Sequence, residues 1–269
     1  MEILWVIILL GYAVCVAQSI FALTAKRPIM RRTALRALAV ALVAHSAWLL
    51  YRGITMERCP LVGTQEMSAF LGWGLVMSTL IAYRWYHATA LKAFIFPIVL
   101  VLTAIAAISS GPAGETEEFR STLQSILLPA HVALLLLAYS SFFVAFGAGV
   151  MYIIQERELR HKRFGTIFYK LPSLDTSDAI SSRAMAIGFV LMTLGIVDGL
   201  WYSYSRYHVY WQSGPLEIFS IVTWLLYLII IQSRINAGWG GRAAALASIV
   251  SFIIVICSLV GVRYLGHAF

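Results

Sequence analysis

The sequence has 269 residues, of which 61% are hydrophobic and 12% are charged, and its formal net charge is +8. A soluble domain carries roughly 25% charged residues and about half apolar ones, so this composition excludes an ordinary soluble fold and favours lipid as the solvent. The basic residues lie in short clusters between apolar runs, which argues against a nucleic-acid partner.

Apolar stretches recur along the whole chain with the length that crosses a hydrocarbon core of about 30 Å as a helix, about 20 residues. We predict about eight transmembrane helices near residues 4–24, 34–52, 66–85, 91–110, 123–154, 182–204, 216–234 and 243–264. The first stretch is preceded by Glu2 and followed by its basic residues, which is the opposite polarity to a secretory signal. The predicted fold class is therefore all-α, a polytopic membrane protein with a single transmembrane domain over residues 1–269.

The charges in the loops predict the orientation of these helices. Residues 25–36 carry five basic residues and no acid, and residues 155–183 carry six basic residues against four acids. Residues 111–122 instead carry three glutamates and one arginine. The positive-inside rule places the basic loops in the cytoplasm and both termini on the outer side of an inner membrane. The fifth stretch is too long for one crossing and is predicted to continue as a cytoplasmic helix through residues 155–163.

Histidines supply the candidate chemistry. Four of the six map to the outer half of the predicted protein, namely His45, His131, His208 and His267. His45 and His131 each lie about eight residues inside a span, which is roughly 12 Å deep at 1.5 Å per residue. Ionisable residues at such depth need partners and are candidates for function. Two of them on different helices can ligate one metal or haem iron, or each can hydrogen-bond a neighbouring helix.

Haem suits such a site because its apolar ring is buried among helices while its propionates reach the interface. Three arginines near the predicted outer face are candidate partners for the propionates, namely Arg52, Arg206 and Arg263. No C-x-x-C-H motif occurs, so the predicted cofactor is haem b, held without thioether bonds.

Aromatic residues crowd the loop around His208 and include Trp201 and Trp211. They are either an interfacial belt or a flat surface against which a porphyrin can lie. Asp198, in the outer part of the sixth span, is costly there unless it is paired, and Arg206 is a candidate partner.

Several short motifs have an order and spacing that resemble a known family. They are His131-Val132, Ala138-Tyr139-Ser140-Ser141-Phe142, Leu171-Pro172-Ser173-Leu174-Asp175, Thr223-Trp224-Leu225-Leu226-Tyr227, Gly238-Trp239 and Gly266-His267. With them the chain resembles the cytochrome c assembly family that includes CcsA, and in particular its shorter HemX-like branch, over about residues 64–269. The resemblance implies haem handling at the outer face of the inner (cytoplasmic) membrane.

The resemblance also implies a ligand set, in which His131 and His267 hold haem over a tryptophan-rich loop that matches Trp201–Glu217. Here the loop lacks the family's second tryptophan, its aspartate and its lysine, and Gln232 stands where the family has an intramembrane histidine. The pattern therefore fits a protein that carries, stores or senses haem better than an enzyme that attaches haem to an apocytochrome.

The sequence also allows other ligand pairings and other functions. His45 and His208 form a second predicted pair, or His45 replaces one member of the first pair, so the sequence predicts one or two haems. A second hypothesis is a regulatory subunit that binds a cytoplasmic haem-biosynthesis enzyme through the charged segment Glu156–Lys170. A third is a component of a cytochrome c haem lyase or a transmembrane redox protein, acting with a cytochrome c assembly partner.

Overall fold

Helices account for nearly all of the described chain in the computed structural model. The structure describes residues 2–24, 28–109, 126–162, 165, 168–212 and 214–265, and contains no strand within them. The helices are α1 (Glu2–Thr24), α2 (Pro28–Met56), α3 (Gly63–Tyr86), α4 (Ala90–Ile108), α5 (Leu127–Arg160), α6 (Leu174–Tyr207), α7 (Pro215–Asn236) and α8 (Gly241–Leu265). Each predicted span falls on one of these helices within a few residues, and the predicted continuation of the fifth span is confirmed as far as Arg160.

Six of the described helices are long and apolar enough to cross a membrane, namely α1, α2, α4, α5, α6 and α7. Helix α3 occupies the place of the third predicted span and carries Glu66 in its first turn and Arg84 in its last. The described apolar part of α8, Gly241–Cys257, is shorter than a span. The chain is therefore an all-α, multi-pass membrane protein, whereas its orientation remains a prediction.

The chain forms two compact units. Unit 1 comprises Met1–Pro129 and Glu158–Pro172, and unit 2 comprises Ala130–Arg157 and Ser173–Phe269. In unit 1, α1 packs against α2 and α4, and α3 packs against the same two helices. In unit 2, α6, α7 and α8 pack against one another.

Small residues allow the helices to approach closely, which matters because lipid supplies no hydrophobic force between them. A Cβ atom on Gly11 of α1 would lie 2.6 Å from the Cβ of Ala41 in α2. In unit 2, a Cβ atom on Gly188 of α6 would lie 2.6 Å from the ring of Phe142 in α5. Phe142 also stacks on Tyr227 of α7, with 3.6 Å between ring centroids. These contacts join α1 to α2, and α5 to α6 and α7.

A buried carboxylate between two arginines holds the turn from α2 to α3. The carboxylate of Glu66 accepts hydrogen bonds from Arg52 Nε at 2.9 Å, from Arg58 Nη1 at 2.8 Å and from the Val62 backbone at 3.0 Å. The side chains of Glu66 and Arg58 are fully buried. Arg52, predicted to bind a propionate, therefore has its Nε engaged with Glu66.

We expect Glu66→Gln to destabilise unit 1 by about 3–5 kcal/mol, because it leaves two arginine charges without their buried counter-charge. The measurement is the free energy of unfolding in detergent micelles, followed by circular dichroism. Asp178→Asn is the comparator, since Asp178 makes a single ion pair with Arg234 at 2.8 Å and its side chain is 27% exposed. Equal costs for the two variants would contradict a special role for the buried carboxylate.

Candidate functional site

His131 lies near the start of α5 in unit 2. The helix begins at Leu127, and Pro129 occupies its first turn, where a missing backbone N–H breaks no intrahelical hydrogen bond. The His131 side chain points toward α6, where it meets Gly195 and Gly199.

One nitrogen of the His131 ring is held by the backbone of α6. His131 Nδ1 lies 2.7 Å from the carbonyl oxygen of Gly195. A carbonyl only accepts hydrogen bonds, so Nδ1 is the donor, and in the neutral tautomer with this proton the lone pair is on Nε2. No residue in the described part of the chain donates a hydrogen bond to Nε2. This is the tautomer and orientation that a histidine needs to ligate a metal.

Gly199 makes room for this ring. A Cβ atom at Gly199 would lie 2.5 Å from His131 Cε1 and 2.6 Å from Nδ1, a distance that no real side chain tolerates. Gly195 and Gly199 are four residues apart, so they share one face of α6. One of them supplies the hydrogen-bond acceptor and the other supplies the space.

Asp198 supplies the carboxyl group beside His131. Its carboxyl group interacts with the side chain and with the backbone of His131, and its Oδ2 atom is buried without a hydrogen-bond partner among the described residues. The predicted ion pair between Asp198 and Arg206 does not form. Arg206 instead interacts with Tyr202. The physical reason is geometric, since Asp198 and Arg206 are eight residues apart, or roughly 12 Å along a helix.

Aromatic residues at the end of α6 and in the loop after it form an exposed surface. Trp201, Tyr204, Tyr207, Tyr210 and Trp211 are all exposed, from 38% at Trp211 to 67% at Trp201. The rings of Tyr204 and Tyr210 stack at 4.4 Å with 10° between their planes. We refer to these five residues as the aromatic shelf.

Polar contacts hold the loop between α6 and α7, which carries Tyr210 and Trp211 of the aromatic shelf. Ser203 Oγ donates to the carbonyl of Val209 at 2.7 Å. Glu217 accepts from the backbone N–H groups of Gln212 at 2.9 Å and Gly214 at 3.4 Å. These bonds close the loop onto the first turn of α7, so Glu217 has a structural role at that turn.

His208 sits at the edge of the aromatic shelf, where it ends α6 in the left-handed conformation with φ 56°. Its side chain is exposed, and its ring meets Tyr204 edge-on at 6.2 Å. His208 follows Gly199 by nine residues, or roughly 13 Å along the helix, so the structure does not bring it against His131. His45 is buried in unit 1. His267 and the side chain of Arg263 lie outside the described residues.

Sequence reasoning found His131 but not the residues that hold it. The four-residue spacing of Gly195 and Gly199 indicates a face of small residues, yet it does not show which side chain packs against them. Among the described residues, no group of three or more His, Cys, Asp or Glu side chains is arranged to hold a bare metal ion. A haem iron needs fewer protein ligands, so this finding leaves a haem site open.

Comparison with known proteins identifies the family of this chain. The family model described as cytochrome c assembly protein matches residues 61–269. The chain belongs to the cytochrome c assembly protein family. The cytochrome c biogenesis protein CcsA of Prochlorococcus marinus strain MIT 9301 is 27% identical over 238 residues, which cover 81% of this chain and 77% of the relative. The CcsA protein of Guillardia theta is 24% identical over 250 residues, covering 87% of this chain and 81% of the relative.

The residues matched by the family model include the candidate site and leave out the first two helices. It begins at the turn before α3 and therefore includes His131, Gly195, Gly199 and the aromatic shelf. Helices α1 and α2, with His45, precede it. The part of the chain that carries the candidate site is thus the part that shows membership of the cytochrome c assembly protein family.

We expect Gly199→Ala to displace the His131 ring and to cost about 1–3 kcal/mol of stability, as overpacking of a tight contact does. The matched control is Gly214→Ala, because a Cβ atom at Gly214 meets nothing within 4 Å. Chemical unfolding in detergent measures both variants. If the Gly199→Ala protein is as stable as the Gly214→Ala protein, the His131 ring can adopt another rotamer without loss of stability.

Proposed function

We propose that this chain is a haem-binding membrane protein of cytochrome c biogenesis that carries, stores or senses haem. The observation that carries the proposal is the His131 ring, fixed through Nδ1 by the Gly195 carbonyl and open at Nε2. The relatives named cytochrome c biogenesis protein CcsA support the biological setting. The proposed cofactor is haem b, bound without covalent links.

The residues around His131 fit haem by their chemistry. Nε2 would be one axial ligand, and the Gly195 carbonyl would hold the imidazole in its ligating tautomer. The aromatic shelf begins two residues after Gly199 and offers flat apolar surface to a porphyrin. Arg206, exposed near Tyr202, is the arginine of this unit that we propose to pair with a propionate. Haem bound in this way would supply an iron centre able to change its oxidation state.

The second axial ligand remains a prediction. The family resemblance assigns it to His267, which lies outside the described residues. The loop residues that the family uses for attachment to an apocytochrome are absent here, so we propose holding or sensing of haem and not its covalent transfer.

The test is an optical spectrum of the purified protein, oxidised and dithionite-reduced, with a pyridine haemochrome assay. We expect a low-spin b-type spectrum in the native protein after haem-replete expression. His131→Ala should lose that spectrum, and added imidazole should restore it by replacing the missing ligand. His161→Ala is the control, since His161 is exposed beyond the end of α5.

Each remaining histidine is tested beside His131 with the same assay. Loss of the low-spin spectrum in His267→Ala, His208→Ala or His45→Ala would identify the second ligand. Native protein that carries no haem, or a His131→Ala protein with an unchanged spectrum, would contradict the proposal. The regulatory-subunit hypothesis, in which the charged end of α5 docks an enzyme, would then take first place.

A further inference from the structure

A large cleft lies between α2 and α3 in unit 1. Its volume is about 860 Å³, and all of its lining residues belong to unit 1. They come from α2, from α3, from the turn between these helices and from the start of α5. The volume lies within the range of sites for small molecules, about 300–1,000 Å³. We refer to it as the α2–α3 cleft.

One stripe of α2 forms the long wall of the α2–α3 cleft. Its members are Ser46, Leu49, Leu50, Gly53, Ile54 and Glu57. They recur at intervals of three and four residues, which is the spacing of a single helix face. Ser46 and Glu57 are eleven residues apart, so this wall is about 16 Å long at 1.5 Å per residue. The cleft therefore runs along the axis of α2.

Aromatic rings of α3 form the opposite wall. Phe70 and Trp73 both line the cleft, and their ring centroids are 5.7 Å apart. Trp73 Nε1 donates a hydrogen bond to Ser46 Oγ at 3.0 Å, so these two polar groups satisfy each other. A guest at this end of the cleft consequently needs no polar atom, which favours a hydrocarbon chain.

The charged lining of the cleft lies at the other end, in the turn from α2 to α3. Glu57, Arg58 and Cys59 line this end and directly follow the apolar span of α2, which ends at Met56. The side chain of Arg58 is fully buried and bonded to Glu66, whereas Glu57 and Cys59 are exposed. The cleft thus has an apolar interior along a membrane span and a polar rim where that span ends.

These dimensions match one leaflet of a bilayer. The hydrocarbon core is about 30 Å thick, so each leaflet contributes about 15 Å of acyl chain. The span of α2 covers Leu35–Met56, and Ser46 is at its midpoint. The wall from Glu57 to Ser46 therefore extends from the end of the span to its middle. An acyl chain that followed this wall would have its headgroup at Glu57 and its terminal methyl group near Ser46.

The charges at the rim favour a particular headgroup. Arg52 and Arg58 both pair with the Glu66 carboxylate, at 2.9 and 2.8 Å. The exposed charged residue in the lining of the cleft is Glu57. A carboxylate attracts an ammonium group and repels an anion. Phosphatidylethanolamine therefore fits this rim better than phosphatidylglycerol, whose headgroup carries only a negative charge.

We propose that the α2–α3 cleft binds a phospholipid with an ethanolamine headgroup, its acyl chain along the α2 stripe and its ammonium group at Glu57. A chain between two walls makes more dispersion contacts than a chain on the outer surface of a helix, so this lipid is retained when others exchange. The proposal does not rest on the proposed function, because the cleft is in unit 1 and His131 is in unit 2. Most of the lining precedes residue 61, where the family match begins, so the site is not inferred from the family.

Native mass spectrometry of the full chain in detergent counts the bound lipid. We expect the native protein to retain one phosphatidylethanolamine per chain after mild delipidation. Leu49→Trp should abolish this retention, because the indole occupies the path of the acyl chain. Leu10→Trp is the matched control, since it makes the same change at a position of α1 that is exposed and does not line the cleft. Equal retention in the two variants would overturn the proposal.

Glu57→Gln tests the assignment of the headgroup. Delipidated protein receives an equal mixture of phosphatidylethanolamine and phosphatidylglycerol, and mass spectrometry gives the ratio bound. We expect the native protein to prefer phosphatidylethanolamine and Glu57→Gln to reduce that preference about 2–5-fold, as the loss of one exposed ion pair does. Asp175→Asn is the control, because Asp175 is an exposed acid of unit 2. A native protein that prefers phosphatidylglycerol would contradict the proposal.

Alkylation of Cys59 needs no variant and keeps the proposal testable if Leu49→Trp does not fold. Cys59 lines the cleft and is exposed, whereas Cys257 is an exposed thiol of α8 in unit 2. With phosphatidylethanolamine at about ten times its dissociation constant, about a tenth of the clefts remain open, so the rate with a small maleimide should fall about tenfold at Cys59. The rate at Cys257 should not change. A Cys59 rate that is the same with and without the lipid would argue against binding in the cleft.

The same spectra identify other occupants. A haem or an isoprenoid quinone in the cleft would appear as a different bound mass that Leu49→Trp removes, and it would overturn the assignment to phospholipid. The proposed function is tested separately, because Leu49→Trp should keep the native haem spectrum and His131→Ala should keep the bound lipid. Bound lipid in a native protein without haem would contradict the proposed function and support the lipid site.

Discussion

Lipid as the solvent for most of this chain is the constraint on which the rest of the structure depends. Water is absent from the hydrocarbon region, so each polar group must find its partner inside the protein. Several buried hydroxyl groups do so on their own helix: Thr79 donates to Leu75, Thr103 to Val99 and Ser140 to Leu136. Those hydrogen bonds do not connect two helices. They only satisfy the hydroxyl donor.

Some buried polar atoms are exceptions to this rule. Buried polar atoms without a partner in the described residues include His45 Nε2 and Asp198 Oδ2. His131 Nε2, in a half-buried ring, is likewise open. Each of the two histidines has its other nitrogen fixed by a hydrogen bond, so the open atom is presented in a defined direction. A protein that only had to fold could have used apolar residues at both places.

The sequence predicted the helices closely and the side-chain partners poorly. The eight predicted spans coincide with the eight described helices because both follow from apolar length and from local backbone hydrogen bonding. His131 was recognised because an ionisable residue in an apolar run is rare. Its acceptor, the Gly195 carbonyl, lies 64 residues further along the chain and carries no side-chain signal. Arg52 was assigned to a propionate, whereas the fold places the buried Glu66 at its Nε.

What the sequence by itself determined is therefore the class of protein, the positions of its helices and the identity of its unusual residues. These depend on composition and on contacts within about four residues, which any stretch of chain carries with it. Only the tertiary structure decided that Tyr12 and Gly72 meet His45, that Gly195 and Gly199 meet His131, and that a cleft lies between α2 and α3. Those contacts depend on which helices pair and at what rotation. Close packing of small residues across distant segments sets that rotation, and the local pattern of a single helix does not contain it.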